Sequence, residues 1–426
     1  MTMVYVVLIA GLLIGAPIAI AIISALLVFM ATGEAPYSLR IVASEMFRSM
    51  NSFPLLAIPL FVLAGELMNE SGITGRIIAF ANVLVGRMRA GLALVNIWAS
   101  VIFAGLSGSA VADTSAIGRV FIPEMEKHGY DRSFAAALTA ASSVIGPIIP
   151  PSIPVIIYAL IVSGVSVPAL FMAGVIPGLM LALFLSAYVM LTVKVKDPAP
   201  GVTSDTQSAG QALLGGILPL LMPVFVVGSI LIGVVTPTEA ASFAVAYALF
   251  LGAFVYRKIT LTSLPRIFTD AMRDSAVILV IIAAVGAANW LLTYNRVPNM
   301  LTDWVLGNVE SKTMFLIAVI LLFLFVGLFL EGIAAMLVLV PILHPIAVSM
   351  GVDPVHFGIL VIFNLMIGLI TPPLGLCMFV AEGIAQVGMA RLTRSILPFF
   401  LVEVVVLLIL TFVPETVIWL PRVLGY

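Results

Sequence analysis

The chain has 426 residues, 62% of them hydrophobic and only 9% charged, with 19 Lys and Arg against 20 Asp and Glu for a formal net charge of −1. Soluble domains carry about a quarter charged residues, so this composition excludes one, and the net charge itself says nothing about partners; nucleic acid is not expected among them. A single cysteine, Cys377, excludes an internal disulfide framework and any cysteine-based metal cluster.

The first thirty residues, MTMVYVVLIAGLLIGAPIAIAIISALLVFM, have no basic n-region and stay apolar for longer than a signal-peptide core. They read as a retained first helix. An amphipathic stretch at 74–89 precedes a hydrophobic segment at 91–126, and its counterpart at 296–311 precedes another at 313–347. These stretches are expected to be surface arms or plain loop helices. Residues 133–193 contain no Lys, Arg, Asp or Glu, which leaves room for two spans of about 20 residues each. A β-barrel would show short alternating segments of about ten residues instead. A polar stretch at 194–211 reads as a linker, a helix near 212–233 as a linking span, and Thr236-Pro237-Thr238-Glu239 as a helix-capping arrangement.

Sliding the chain against itself by 222 residues reveals an internal repeat. Phe103 falls on Phe325, Gly105 on Gly327, Pro123 on Pro345, Gly129 on Gly351, Asp131 on Asp353 and Gly146 on Gly368. The pair Pro150–Pro151 falls on Pro372–Pro373. The expected fold is therefore an all-α polytopic membrane protein of two inverted-topology repeats. The first repeat covers 1–193, with a re-entrant hairpin at 91–126 and a broken helix at 133–163. The second, with the linking helix, covers 212–426, with its hairpin at 313–347 and its broken helix at 355–389. A straight helix of about 35 residues would exceed 50 Å, too long for a ~30 Å hydrocarbon core, and double prolines break helices. Arg87, Arg89, Lys127 and Arg132 place both ends of the first hairpin in the cytoplasm, whereas SMGVDPVH after the second has no Lys or Arg.

Short or Gly/Pro-interrupted hydrophobic segments at matching positions of two halves are the best sequence pointer to a transporter's binding site. At the first hairpin tip, Ser107 and Ser109 offer hydroxyls around Gly108, and carbonyls freed at Gly146 and Pro150 complete an oxygen shell suited to a hard cation such as Na⁺. Close helix packing is the competing use of such small residues. Asp113, one turn after Ser109, is a carboxylate at membrane depth, which is functional by default or else braces the hairpin. In the second half Glu331 stands where Ser109 stands in the first, beside Gly332, and Thr371, Pro372 and Gly375 form the matching break. A second cation site is expected there, with Glu331 either supporting it or bonding the hairpin backbone. His128, His344 and His356 have no metal-ligand spacing, and neither GxxxxGK[ST] nor HExxH occurs. Gly105-Leu106-Ser107-Gly108 also fits the GxSG of an intramembrane serine protease, a chemistry that needs a histidine base beside the serine.

GLSGSAVADTSAIG, IPEMEKHGY, GPIIPPSIPVIIY, LFMAGVIPG, TPTEAA, GVDPVHFGI and GLITPPLG together resemble the large membrane subunit of a tripartite ATP-independent periplasmic (TRAP) transporter over nearly the whole chain. The resemblance implies an elevator-type, sodium-driven importer of a small organic acid, such as sialic acid or a C4-dicarboxylate, in a bacterial inner membrane. A transport domain, 91–170 with 313–395, would move against a scaffold of the remaining helices. A separate four-helix subunit would widen that scaffold, and a soluble periplasmic protein would deliver the substrate. Carried over by position, one sodium site would use Ser107, Ser109, Gly146 and Pro150, with Asp113 close by. The other would use the Glu331–Gly332 tip with Thr371, Pro372 and Gly375. Substrate would lie between the tips, near Ser107, Ser109, Asp113 and Glu331. The nearest alternative is a stand-alone sodium–dicarboxylate or citrate-type carrier of the same architecture.

Overall fold

A computed structural model describes residues 6–8, 10–11, 14–31, 39–193, 209–309, 311–328, 330–372 and 375–426. Most of the expected linker, 194–208, and Pro373 of the second proline pair lie outside the described residues. Among the described residues every regular element is helical. The first half contains α1 (Ile18–Ala31), α2 (Leu39–Met50), a 3₁₀ turn at Phe53–Leu56 that runs into α3 (Ala57–Glu70), and α4 (Ile73–Val85). Next come a helical hairpin, α5 (Gly91–Ser107) and α6 (Ala110–Lys127), an interrupted helix, α7 (Arg132–Ser143) and α8 (Ile153–Ile161), and α9 (Val167–Thr192). The second half opens with α10 (Ala209–Leu231), α11 (Pro237–Phe250), α12 (Leu264–Tyr294) and α13 (Val297–Asn308). It repeats the hairpin as α14 (Lys312–Gly327) and α15 (Gly332–Ser349) and the interrupted helix as α16 (Pro354–Gly368) and α17 (Leu376–Ala385), and ends with α18 (Met389–Phe412) and α19 (Glu415–Val423).

Among the described residues six helical stretches are long and apolar enough to cross a membrane: Phe53–Glu70, Val167–Thr192, Pro237–Val255, Leu264–Tyr294, Gly332–Ser349 and Met389–Phe412. The first arm of the first hairpin and the pieces of both interrupted helices are shorter. Of the stretches 74–89 and 296–311, residues 74–85 lie in α4 and residues 297–308 make up α13. The first packs on α5 and α10, and the second on α15 and α12.

The repeat is visible as chemistry. After the first hairpin, Gly129 turns the chain at φ 85° and Asp131 caps α7 by accepting from the Ser133 and Phe134 amides. After the second, Gly351 turns at φ 74° and Asp353 caps α16 by accepting from Val355 and His356. At the tips Ser109 caps α6 through the Ala112 amide, and Glu331 caps α15 through Ala334. Each cap satisfies an amide that a helix start leaves without an intrahelical partner. Thr236 and Glu239 form a reciprocal capping box at the start of α11.

Buried polar groups fasten each hairpin to its own interrupted helix. The Asn96 amide on α5 donates to Thr139 Oγ1 at 2.8 Å and accepts from Ser142 at 3.0 Å, and Ser100 donates to Ser142 at 2.9 Å. In the second half Asn364, at the position equivalent to Ser142, donates to the Ile320 carbonyl at 3.0 Å. The two halves also interleave, because α17 packs on α6 and α7 while α15 packs on α8. Arg391 pairs with Asp131 at 2.5 Å, and Ser395 meets Ser133 at 2.8 Å.

Helices that run past residues 170 and 395 also pack on the block of hairpins and interrupted helices. The helix α18 packs on α7, α9, α16 and α17, and α9 packs on α5, α16 and α19. Opposite this block, α3 packs on α11 and α12, and α12 packs on α2. Arg266 at the start of α12 holds Glu70 at the end of α3 at 2.5 Å.

Candidate functional site

The first tip turns at Gly108, in the left-handed region at φ 60°, where a side chain would be strained. The Ser107 hydroxyl donates to Asp113 Oδ1 and accepts from the Ser109 amide at 3.1 Å. Ser109 Oγ accepts from the Ala112 amide at 3.4 Å. The tip lies against the break in the interrupted helix. A Cβ added at Gly108 would come within 3.2 Å of the Pro151 carbonyl oxygen, and one at Gly105 within 3.8 Å of the Pro150 carbonyl oxygen. Beyond the prolines, the Ser152 hydroxyl donates to the Pro147 carbonyl and caps α8 at the Val155 amide. The hairpin turn and the broken helix thus meet face to face, as the sequence reading requires.

Asp113 is 0% exposed, and its Oδ2 has no hydrogen-bond partner. A Cβ added at Gly146 would sit 2.3 Å from that oxygen, so the carboxylate abuts the Gly146 backbone. Asp113 does not line the cavity between the tips. The Ser107 bond and the Gly146 contact hold it behind the tip, on the side of the break. There an orphaned, buried carboxylate oxygen, the Ser107 and Ser109 hydroxyls and the loosened backbone of 146–150 form a donor set of hard oxygens. Such a set suits an alkali cation better than a transition metal. Among the described residues no group of three His, Cys, Asp or Glu is placed to hold a metal ion.

At the second tip Glu331 accepts from the Ala334 amide at 3.1 Å. Gly332 is buried, and a Cβ there would come within 3.3 Å of Met366. Two backbone bonds bridge the matching break. The Gly375 amide donates to the Thr371 carbonyl at 3.1 Å, and the Cys377 amide to the Leu369 carbonyl at 3.0 Å. Only glycine fits at 375, since a Cβ there would lie 2.4 Å from the Leu369 oxygen. Thr371 donates to the Ile367 carbonyl at 2.8 Å, Pro372 follows it in the turn, and Gly327 packs against Gly368.

Both tips open onto one cavity of about 180 Å³. Ser107, Gly108, Ser109 and the first turn of α6 line one side, and Glu331 and Ile333 another. Two of the amides that a helix N-terminus leaves without intrahelical partners belong to lining residues, Ala110 and Val111. The facing wall comes from α3 and α12: Gly65, Glu66, Asn69, Asp274 and Ile278. A Cβ at Gly65 would come within 3.4 Å of the Ser107 carbonyl oxygen, so the tip rests against that glycine. The sequence reading missed this wall. Its signal was the presence of Glu66 and Asp274 inside apolar spans.

The histidines are engaged elsewhere. His128 bonds the Glu124 carbonyl, His344 the Tyr158 hydroxyl, and His356 the Leu410 carbonyl. The partner of the Ser107 hydroxyl is a carboxylate rather than an imidazole, so the base that serine protease chemistry requires is not beside it.

The profile of the family described as "Tripartite ATP-independent periplasmic transporter, DctM component" matches residues 5–416. The sialic acid TRAP transporter large permease protein SiaM of Vibrio cholerae is 39% identical over 97% of this chain and 96% of its own length. The C4-dicarboxylate TRAP transporter large permease protein DctM of Rhodobacter capsulatus is 37% identical over 98% of each chain. The crystal structure of the YdaH transporter of Alcanivorax borkumensis superposes with a TM-score of 0.66 over 89% of each chain, at 13% identity, a likeness of fold alone. By the profile match over residues 5–416 and by relatives 37–39% identical over nearly its whole length, this chain belongs to the DctM component family of tripartite ATP-independent periplasmic transporters.

Proposed function

We propose that the chain is the large membrane subunit of a sodium-driven importer in a bacterial inner membrane. Its substrate would be a small organic acid of the kind for which its relatives are named, sialic acid or a C4-dicarboxylate. The observation that carries this reading is the meeting of two inverted hairpin tips, each set against a helix break, on a single cavity. The carboxylate of an organic acid would take the Ser107 and Ser109 hydroxyls and the positive end of α6. Glu66, Asp274 and Glu331 line the same cavity, with no Lys or Arg among the lining residues. An organic anion would therefore need positive charge from outside the side chains, and co-bound cations would provide it.

In this reading Ser107, Ser109, Gly146 and Pro150, with the Asp113 charge behind them, would hold one sodium ion. Gly332, Thr371, Pro372 and Gly375, beside Glu331, would hold the second. Sodium when bound supplies charge neutralisation and order at the tips. The protein's part is to hold each hairpin on its break, keep α6 aimed at the cavity, and close the site against α3 and α12. The block of α5–α9 and α14–α19 would move as the elevator against α2, α3, α11 and α12. The family's tripartite description and the term "large permease" in its relatives' names support two partners. These are a separate small membrane subunit and a soluble periplasmic protein that hands over the acid.

The test is uptake into proteoliposomes under an imposed sodium gradient, with candidate acids and their binding proteins. Ser109→Ala and Thr371→Ala should each lower sodium-driven uptake while leaving the amount of inserted protein unchanged. Wild-type rates from both variants would overturn the site assignment. Uptake indifferent to sodium would overturn the coupling, and sodium-driven uptake without any binding protein would favour the stand-alone carrier.

A further inference from the structure

Glu403 lies midway along α18, in a run of apolar residues, and none of the roles above uses it. Its side chain is 0% exposed, and neither carboxylate oxygen has a hydrogen-bond partner. An ionised carboxylate left unpaired at such a place is too costly to persist. It must hold a cation or a proton, and its surroundings decide which.

Four helices pack on α18. None of them brings a free positive charge to its middle. The 26 residues of α9 include no Lys, Arg, Asp or Glu. The one charged residue of α7, Arg132, is at its start and is paired with Glu126 at 2.6 Å. On α16 His356 is bonded to the Leu410 carbonyl, and on α17 Glu382 accepts from the Gly388 amide. The Cys377 thiol of α17 lies within electrostatic reach of Glu403 and of Asp113, whose own carboxylate is held in the Ser107 and Gly146 contacts. Arg391 and Arg394 of α18 itself stand at its first turns, away from the middle. Glu403 therefore faces no positive side chain. Among the described residues no group of three His, Cys, Asp or Glu is placed to hold a metal ion with it, whereas a proton needs no further ligand.

We propose that Glu403 is a proton-binding site of the hairpin-bearing block, separate from the sodium sites and occupied in the packing seen here. The step is a plain protonation, in which carboxylate and a proton from water give the neutral acid without any other reactant. Because the neutral form suits this buried, unpaired place on the packed face of α18 and the charged form does not, forming this packing takes up one proton, and opening it releases one. Over the range in which the packed protein holds a proton that the unpacked one has lost, one linked proton changes the packing equilibrium about tenfold per pH unit.

The full-length protein, purified in detergent without substrate, tests this. Infrared difference spectra should show the carbonyl band of a protonated, non-hydrogen-bonded carboxyl. The band should vanish in Glu403→Gln and survive in Asp113→Asn. Thermal stability should fall as pH rises more steeply in the wild type than in Glu403→Gln, which keeps the shape and removes the proton. Glu403→Met, close in volume, serves if the glutamine variant does not fold. A wild type without that band, a band unchanged by either substitution, or stability–pH profiles that superpose would each overturn the proposal. These readouts need neither uptake nor sodium, so their failure is distinguishable from failure of the transport reading.

Discussion

Gly146→Ala should be far more damaging than its one added methyl group suggests. The new Cβ would lie 2.3 Å from Asp113 Oδ2 and 3.2 Å from the Ser143 carbonyl oxygen, so the carboxylate has to retreat by about 1 Å. Carboxylate ends usually swing aside at small cost. This one is fully buried and bonded to the Ser107 hydroxyl, so moving it breaks the bond that fixes the hairpin tip. Overpacking of this kind costs about 1–3 kcal/mol, and the lost hydrogen bond about 1 kcal/mol more. Asp113→Ala removes the obstacle at the price of the Ser107 partner. Unfolding free energies in mild detergent should then show the double variant more stable than the sum of the singles by about 1–2 kcal/mol, since contacting residues do not add. Sodium-driven uptake should follow the same order. Additivity within about 0.5 kcal/mol would mean that the first hairpin does not lean on Gly146, and the first cation site would lose its frame.

The polar seam between α5 and α7 should behave likewise. Asn96→Ala strips the buried Thr139 and Ser142 hydroxyls of a partner each and should destabilise by about 2–4 kcal/mol, seen as a lowered unfolding midpoint. At the second tip Glu331→Gln should keep the α15 start largely intact, whereas Glu331→Ala should cost about 1 kcal/mol for the lost cap; equal stability of the two would remove the capping role. At Asp131 burial disfavours the charge, but the Ser133 hydroxyl, the Phe134 amide, Arg391 and the Ser133 amide outweigh it and hold the carboxyl below the usual range. A depressed folded value means that the contribution is fully present above the unfolded carboxylate range, near pH 4, and is lost as pH falls through the folded value. Asp131→Asn should flatten that acid limb of the stability profile, and a limb unchanged by the substitution would show that the cap does not titrate.

The features that the sequence discloses are those in which a local backbone demand selects a residue. A left-handed turn asks for Gly129 and Gly351, a helix start for Asp131 and Asp353, and a break at membrane depth for Pro150–Pro151 and Gly375. Because each demand occurs twice at one offset, both hairpins and the first broken helix start and stop within two residues of the expected positions, whereas the second broken helix ends at Ala385, four residues before 389. The positions of apolar faces are another matter. In a membrane both lipid and protein interior accept Leu, Val and Ile, so hydrophobicity carries no sign of which face is packed. Nothing in the composition of α9 or α18 tells that they join the hairpin block rather than the opposing helices, or that α17 of the second half seats on α6 and α7 of the first. The wall of the cavity was hidden for the same reason, being the work of helices far apart in the chain.

What does break the ambiguity is a polar residue that lipid would not tolerate. Asn96, Glu66 and Glu403 each stand inside an apolar stretch, and each faces a protein neighbour or the cavity rather than the chain's outer surface. For a span of this kind, intramembrane polar residues thus give the rotational setting of a helix that its hydrophobic residues leave open. Glu403 makes the strongest case: a lipid-facing α18 would leave that carboxyl in hydrocarbon, and turning it inward brings Phe399, Val406, Leu407 and Leu410 into the packed face with it.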